Sequence, residues 1–303
     1  MQSAPPRPPT TLRPGATRQP TGRHPSAARR LWSASPLTYF ALVFAVLLSI
    51  YPLYYMLVIA TRSLDSINNT PPPFTPGGAF GDNLTRAVNA KDANFLIGLR
   101  NSFIVSTAVT VSVVLFGSLA GFAFAKLRFK GRNALLLILL VTMMVPTQLG
   151  LIPLWDMMFT LGWDGDLKAV IVPFLVSAFG VFMMRQYAAQ AVPDELIEAA
   201  RVDGCSTLRI YWHVVLPALR PAAAVLGLLT FMEHWNSFLW PYAILTPDNP
   251  TVQVSLAFLS YAYYIDYSLV FAATAVATLP LVLVFVLFGR QIIGGIMEGA
   301  VKA

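Results

Sequence analysis

The chain has 303 residues, 56% of them hydrophobic and 12% charged, where an ordinary soluble domain carries about 25% charged residues. That deficit points to a lipid bilayer rather than to a large soluble core. The single cysteine, Cys205, excludes an internal disulfide framework and any cysteine-clustered zinc site. The formal net charge of +7 raises the question of nucleic acid, and its distribution along the chain decides the matter.

Residues 1–36 form a class of their own. Prolines alternate with Ser, Thr, Ala and six arginines (Arg7, Arg13, Arg18, Arg23, Arg29 and Arg30), and no acid occurs. Such a segment buries too little apolar surface to offset its ordering entropy, so a disordered basic tail is expected. No small-residue cleavage site follows the apolar run near Leu37, which is itself long enough to span, so the start does not read as a secretory signal.

A helix crosses the hydrocarbon core with about 20 mostly apolar residues. Six stretches meet or approach that length: 37–61, 101–126, 133–155, 168–190, 219–243 and 268–289. The expected fold is therefore all-α, a polytopic membrane protein of six spans over residues 37–303. Pro146 and Pro153 interrupt the third span and should kink or unwind it. Pro173 and Gly180 mark the fourth, and Glu233 and His234 the fifth.

Basic residues set the orientation. With the N-terminus inside, the inner segments hold the six tail arginines, Lys126, Arg128, Lys130, Arg132, Arg185, Arg201, Arg209, Arg220, Arg290 and Lys302; the outer ones hold Arg62, Arg86, Lys91, Arg100 and Lys168. This positive-inside bias puts both termini in the cytoplasm and accounts for the net charge without nucleic acid.

Between spans four and five, at about 191–217, lies a charged inner loop. Pro193 suits a first helical position, Asp194 and Glu195 sit at the positive end of the helix dipole, and Gly204 suits the left-handed residue just past the end. Leu196, Ala199, Ala200 and Asp203 share a face by helical spacing. Ser206 can cap a second helix through "TLRIYWHVV", which hands over to span five at Pro217. Two short helices tied to spans on both sides make a lever for a partner protein; an amphipathic loop lying on the headgroups is the other reading.

The spacing Glu198-Ala199-Ala200, Gly204, then Val214-Val215-Leu216-Pro217 resembles the EAA loop of ABC importer permeases, with Val214 in place of the usual isoleucine. "VPTQLGLIPLW", "FMMRQYAAQAVPDELIEAARVDG", "WNSFLWPYAIL" and "GRQIIGGIMEGAVKA" are similar to the corresponding segments of the maltose-type carbohydrate permeases, in particular their second, six-span subunit. The resemblance covers nearly the whole chain after the tail. It implies a partner permease, an ATPase dimer that holds ATP and magnesium, an extracytoplasmic solute-binding protein and a carbohydrate substrate. It also implies that Glu198 contacts the ATPase, Ala199 and Ala200 allow close docking, Asp203 shares that face, Gly204 makes the turn, and Leu216 and Pro217 fix the loop to span five.

The chain itself has no G-x-x-x-x-G-K-[ST] phosphate loop, no convincing catalytic set, and no metal-ligand spacing among His24, His213 and His234. It is expected to be a transport subunit rather than an enzyme. Glu233 is costly within a span, and helical spacing puts Glu233, Asn236, Ser237 and Trp240 near one face. A substrate path suited to a sugar and a helix-helix hydrogen bond both fit that pattern. Glycerol-phosphate in place of a sugar, or a proton-coupled secondary transporter, are the alternatives in function.

Overall fold

The computed structural model describes residues 35–260 and 265–300, with side chains up to residue 289. Apart from Ser35 and Pro36, the tail expected to be disordered lies outside the described residues. Every regular element among those described is helical. Four runs are long and apolar enough to cross a membrane: Pro36–Ala60, Phe95–Lys126, Leu167–Ala191 and Tyr267–Gly289. Two further helix pairs qualify as bent spans, which brings the total to the expected six.

The chain divides into two units, Met1–Pro52 and Leu53–Ala303. Helix α1 (Pro36–Ala60) runs through the division. In the first unit it carries Leu, Val and Phe all round, and its one mid-helix serine is satisfied internally, Ser49 Oγ donating to Ala45 O at 2.8 Å.

In the second unit the end of α1 is closed by a side chain. Asn83, on the short helix α2 (Phe80–Asn89), donates to Ala60 O and Arg62 O at 3.0 and 2.8 Å, and is itself buried. That supplies partners for carbonyls that a helix end leaves open. Arg86 of α2 pairs with Asp266 just before the last span.

Helix α3 (Phe95–Lys126) is 32 residues long and starts six residues before the expected boundary. The early start follows from packing: Phe95 is fully buried, in one cluster with Phe231, Trp235 and Val252. A residue with that much apolar surface to hide extends the helix past the polar pair Arg100 and Asn101.

The third span is broken where proline predicts. Helix α4 (Arg132–Thr142) ends before Pro146, a tight turn covers Thr147–Gly150, and α5 (Leu151–Thr160) leaves at 87°. Pro153, expected to interrupt the span as well, lies instead in the first turn of α5. There its missing N–H would have had no intrahelical partner anyway.

The fourth span is a short helix Leu167–Ile171, a tight turn Val172–Phe174 containing Pro173, and α6 (Ala178–Ala191). Ser177 caps α6 by accepting from Gly180 N at 3.2 Å, and Ser112 of α3 donates to the freed Leu175 O at 2.8 Å. Irregular backbone at membrane depth persists where side chains satisfy it in this way.

After the loop, α9 (Arg220–Trp235) and α10 (Leu239–Ile244) make the fifth span. The continuous helix expected over 219–243 is therefore interrupted at Asn236–Phe238. Asn236 folds its side chain back on the helix, its Nδ2 donating to Met232 O at 2.8 Å. Such a side chain-to-backbone bond competes with the next helical turn. A short helix α11 (Val252–Ser260) precedes α12 (Tyr267–Ala300), the sixth span, which contains Pro280.

Candidate functional site

The inner loop folds as a helix, a glycine turn and a second helix, in the order expected from its residues. The first helix, α7, covers Asp194–Val202. Pro193 is its N-cap rather than its first helical residue, with ψ of 142°; the one-residue shift leaves Asp194 and Glu195 in the first turn, where the dipole favours them. Past the other end, Gly204 has φ +76°. Gly204 N donates to Arg201 O at 3.0 Å and Cys205 N to Ala200 O at 2.9 Å, the paired bonds of a Schellman ending. Cys205 is half-buried with a free thiol, a small residue at a turn.

Ser206 caps the second helix, accepting from Arg209 N at 3.4 Å. That helix begins as α8 (Thr207–Ile210), widens into a π-helical turn over Tyr211–Val215, and closes at Leu216–Ala218. It meets α9 at 77°, next to Pro217, the residue expected to mark the handover. A π turn shifts the helical phase by one residue, and here Tyr211 and Val215 are both fully buried.

The loop has two distinct faces. Ile197, Ile210, Tyr211 and Val215 join Phe122 of α3 and Met184 and Ala188 of α6 in one core cluster; burying each such side chain is worth about 2 kcal/mol. The opposite face carries Glu198, Ala199, Asp203 and Gly204 exposed, with Ala200 and Leu216 half-buried and Pro217 exposed. Of the four residues grouped by helical spacing, Leu196, Ala199 and Asp203 are exposed and Ala200 is half-buried. Sequence reasoning placed Leu196 on this face but missed the rest of the apolar rim: Leu196, Val202, Leu208 and Trp212 are 52%, 88%, 61% and 48% exposed. The signal was present, since each is a large apolar residue off the buried stripe. These large apolar side chains accompany the exposed polar residues of the loop.

Three contacts fasten the loop to α3, a span the sequence did not single out as its neighbour. Tyr211 Oη lies 2.8 Å from Ser118 Oγ in a buried pair, the Tyr211 ring is 6.1 Å from that of Phe122, and Lys126 Nζ is 2.7 Å from Asp194 Oδ1. The Lys126 hydrogen bond and charge hold the Asp194 carboxyl below its usual value. A lowered carboxylate pKa makes the pair fully present above about 3.9 and lost only as pH falls through the lowered value. The tether therefore holds from about pH 8 to about pH 5. Activity of the Asp194→Asn protein should fall below the parent by a constant factor across that window, and a gap that already closes between about pH 8 and about pH 5 contradicts the pair.

The four residues proposed from the sequence for a substrate path are not brought together as expected. Glu233 and Asn236 are exposed, and Asn236 Oδ1 accepts from Gln253 Nε2 at 3.3 Å. Ser237 is half-buried in the break. Trp240 is buried on the packing side, its Nε1 donating to Ala169 O at 3.1 Å. Helical spacing assumed one continuous helix through residue 240, and the interruption at 236–238 turns Trp240 away from Glu233. His234 packs against Phe174 with ring centroids 5.4 Å apart. Among the described residues, no group of three or more His, Cys, Asp or Glu side chains is placed to hold a metal ion.

Comparison with known proteins assigns this long-helix core and its two-faced loop to a class, that of a transport subunit. Residues 113–294 match the family described as binding-protein-dependent transport system inner membrane component, and the chain belongs to that family. It is similar to the arabinooligosaccharides transport system permease protein AraQ of Halalkalibacterium halodurans, 36% identical over 203 residues, 67% of this chain and 72% of that one. It is also similar to the lactose transport system permease protein LacG of Rhizobium radiobacter, 34% identical over 265 residues, 87% of this chain and 95% of that one. The sn-glycerol-3-phosphate transport system permease protein UgpE of Salmonella typhi is 31% identical over 212 residues, 69% of this chain and 75% of that one. The fold matches a chain in the crystal structure of a bacterial ABC transporter involved in the import of the acidic polysaccharide alginate, with a TM-score of 0.75 and 22% identity, covering 88% of this chain and 98% of that one.

Proposed function

We propose that this chain is one of two paired permeases of an ABC importer for a sugar or oligosaccharide, and that α7 with its exposed EAA face docks onto a separate ATPase dimer. The observation that carries the docking reading is the two-faced loop: one face is buried against α3 and α6, and the other offers Glu198, Ala199, Asp203 and the rim of Val202, Leu208 and Trp212. The positive-inside distribution puts that face and both termini in the cytoplasm. ATP and magnesium belong to the partner, and its closure moves the loop. The permease pair then alternates between inward-open and outward-open states, taking solute from an external binding protein.

A carbohydrate is supported by the names of two relatives, which transport arabinooligosaccharides and lactose. Among the path residues, Glu233 keeps an exposed polar side chain of the kind that sugar hydroxyls need. Dependence on a binding protein, inherent in the family, leaves Glu233 and His234 without a proton-coupling role to perform.

The test is uptake by cells carrying the whole system, with labelled arabinose and galactose oligosaccharides compared with sn-glycerol-3-phosphate. Oligosaccharide uptake that Glu233→Ala lowers at unchanged complex yield is the expected result. Uptake of glycerol-phosphate alone overturns the sugar reading, and parental kinetics in Glu233→Ala remove that residue from the path.

A further inference from the structure

Helix α3 differs from every other span. The first contains Pro52, the third Pro146 and Pro153, the fourth Pro173, the fifth Pro221 and Pro241, and the sixth Pro280, whereas Phe95–Lys126 contains no proline and no break. Sharp kinks arise at prolines, Gly/Ser pairs, π turns and inserted side chains; α3 carries the pair Gly117–Ser118 yet runs as one continuous helix of 32 residues.

It is also fastened at both ends to loops. At the Lys126 end, Ser118 Oγ donates to Leu115 O at 3.0 Å. Its only proton is thereby used, so Tyr211 Oη is the donor in the buried 2.8 Å bond to Ser118. At the other end lies the segment between α10 and α11. Asn101, fully buried, donates through Nδ2 to Asn249 Oδ1 and to Pro250 O, both at 2.8 Å. Val252 N donates to Ser102 Oγ at 2.8 Å, and Asn94 Nδ2 to Pro247 O at 3.0 Å. Sixteen residues separate Ser102 from Ser118, about 24 Å of helix. Buried hydrogen bonds in apolar surroundings are costly to leave open, so both loops move with α3 or not at all.

We propose that α3 is a transmission rod: it carries displacement of the 194–217 loop to the 245–252 loop on the far side of the membrane. Tyr211 and Ser118 are positioning residues at one end, and Asn101 and Ser102 at the other. This rests on the reading of 194–217 as the ATPase-docking loop. Through the rod, nucleotide bound on one side reshapes the surface that faces an incoming solute carrier on the other. Helix α6 of span four moves with the rod, because Gly121 of α3 meets the Met184–Arg185 backbone directly.

The experiment uses the assembled complex with its ATPase, in a Cys205→Ser background, with spin labels at cysteines placed in exposed positions. One pair, at Thr207 and Asn133, reports the docking-loop side; the other, at Asp248 and Thr85, reports the far side. ATP with vanadate should shift both distances in the parent. In Tyr211→Phe, in Ser118→Ala and in Asn101→Ala the first pair should still shift, while the second loses most of its shift. Combining Tyr211→Phe with Asn101→Ala should add nothing, because the two act in series, whereas independent sites add. Tyr211→Phe removes one oxygen and leaves Ser118 bonded to Leu115, so complex yield should match the parent. A merely structural role would lower yield without separating the two pairs. If the far-side shift survives in all three single variants while the first pair responds, the rod is overturned and the docking reading stands. If the first pair fails to respond in the parent, the docking reading is overturned and the rod with it.

Discussion

Gly204→Pro is expected to abolish solute uptake while leaving a folded, membrane-inserted chain. At φ +76° the residue sits where proline, fixed near −65°, cannot go. Proline also removes the N–H that Gly204 gives to Arg201 O at 3.0 Å. The turn would have to open and α7 would swing off the face it shares with α8. Nothing lies within 4 Å of a Cβ at this position, so lesser substitutions meet only the conformational cost, about 1–2 kcal/mol for an L-residue in the left-handed region. Asparagine tolerates that region better than alanine. Uptake should therefore fall in the order Gly, Asn, Ala, Pro, with ATPase copurification lost or ATP hydrolysis uncoupled in the last. Parental transport by Gly204→Pro would refute the loop as the coupling element.

Gly121→Val is expected to prevent folding altogether. A Cβ at Gly121 would come within 2.7 Å of Arg185 N and 2.8 Å of Met184 C and Cβ. Two of the three atoms are backbone, so no rotamer change relieves the clash, and α3 must lift away from α6. Overpacking a well-filled core costs about 1–3 kcal/mol or more, and this crossing holds Phe122, Met184 and Ala188 in the cluster that also seats the 194–217 loop. The yield of monodisperse, detergent-extracted protein measures the effect. Gly81→Ala, where nothing lies within 4 Å of the new Cβ, should behave as the parent. Equal yields for the two variants would show that the α3–α6 crossing is not tight.

The loop and the core were not equally legible. Helix ends are set by residues next to them in the chain, so Ser206, Gly204 and the acidic first turn of α7 could be read directly. Pro146 announced its break for the same reason: a missing N–H acts locally. Pro153 and the break at Asn236–Phe238 went the other way. In each case the outcome depended on where the helix began or stopped, one residue's effect changing sign with its position in the turn. Trp240 shows the consequence, since a face drawn by helical spacing dissolves once the helix is interrupted.

What the sequence determined by itself is the class: too little charge for a soluble core, six apolar runs, and a helix–glycine–helix loop between the fourth and fifth of them. These follow from composition and local backbone preference, which act within a few residues. Only the tertiary structure decided what the loop is tied to. Its sequence neighbours are spans four and five, yet its buried hydrogen bond and its ion pair go to α3, through Tyr211–Ser118 and Lys126–Asp194. Those partners lie 93 and 68 positions apart in the chain. No local periodicity encodes such pairings; they exist because Gly121 lets α3 and α6 meet backbone to backbone, and a π turn delivers the Tyr211 hydroxyl to the serine beside them.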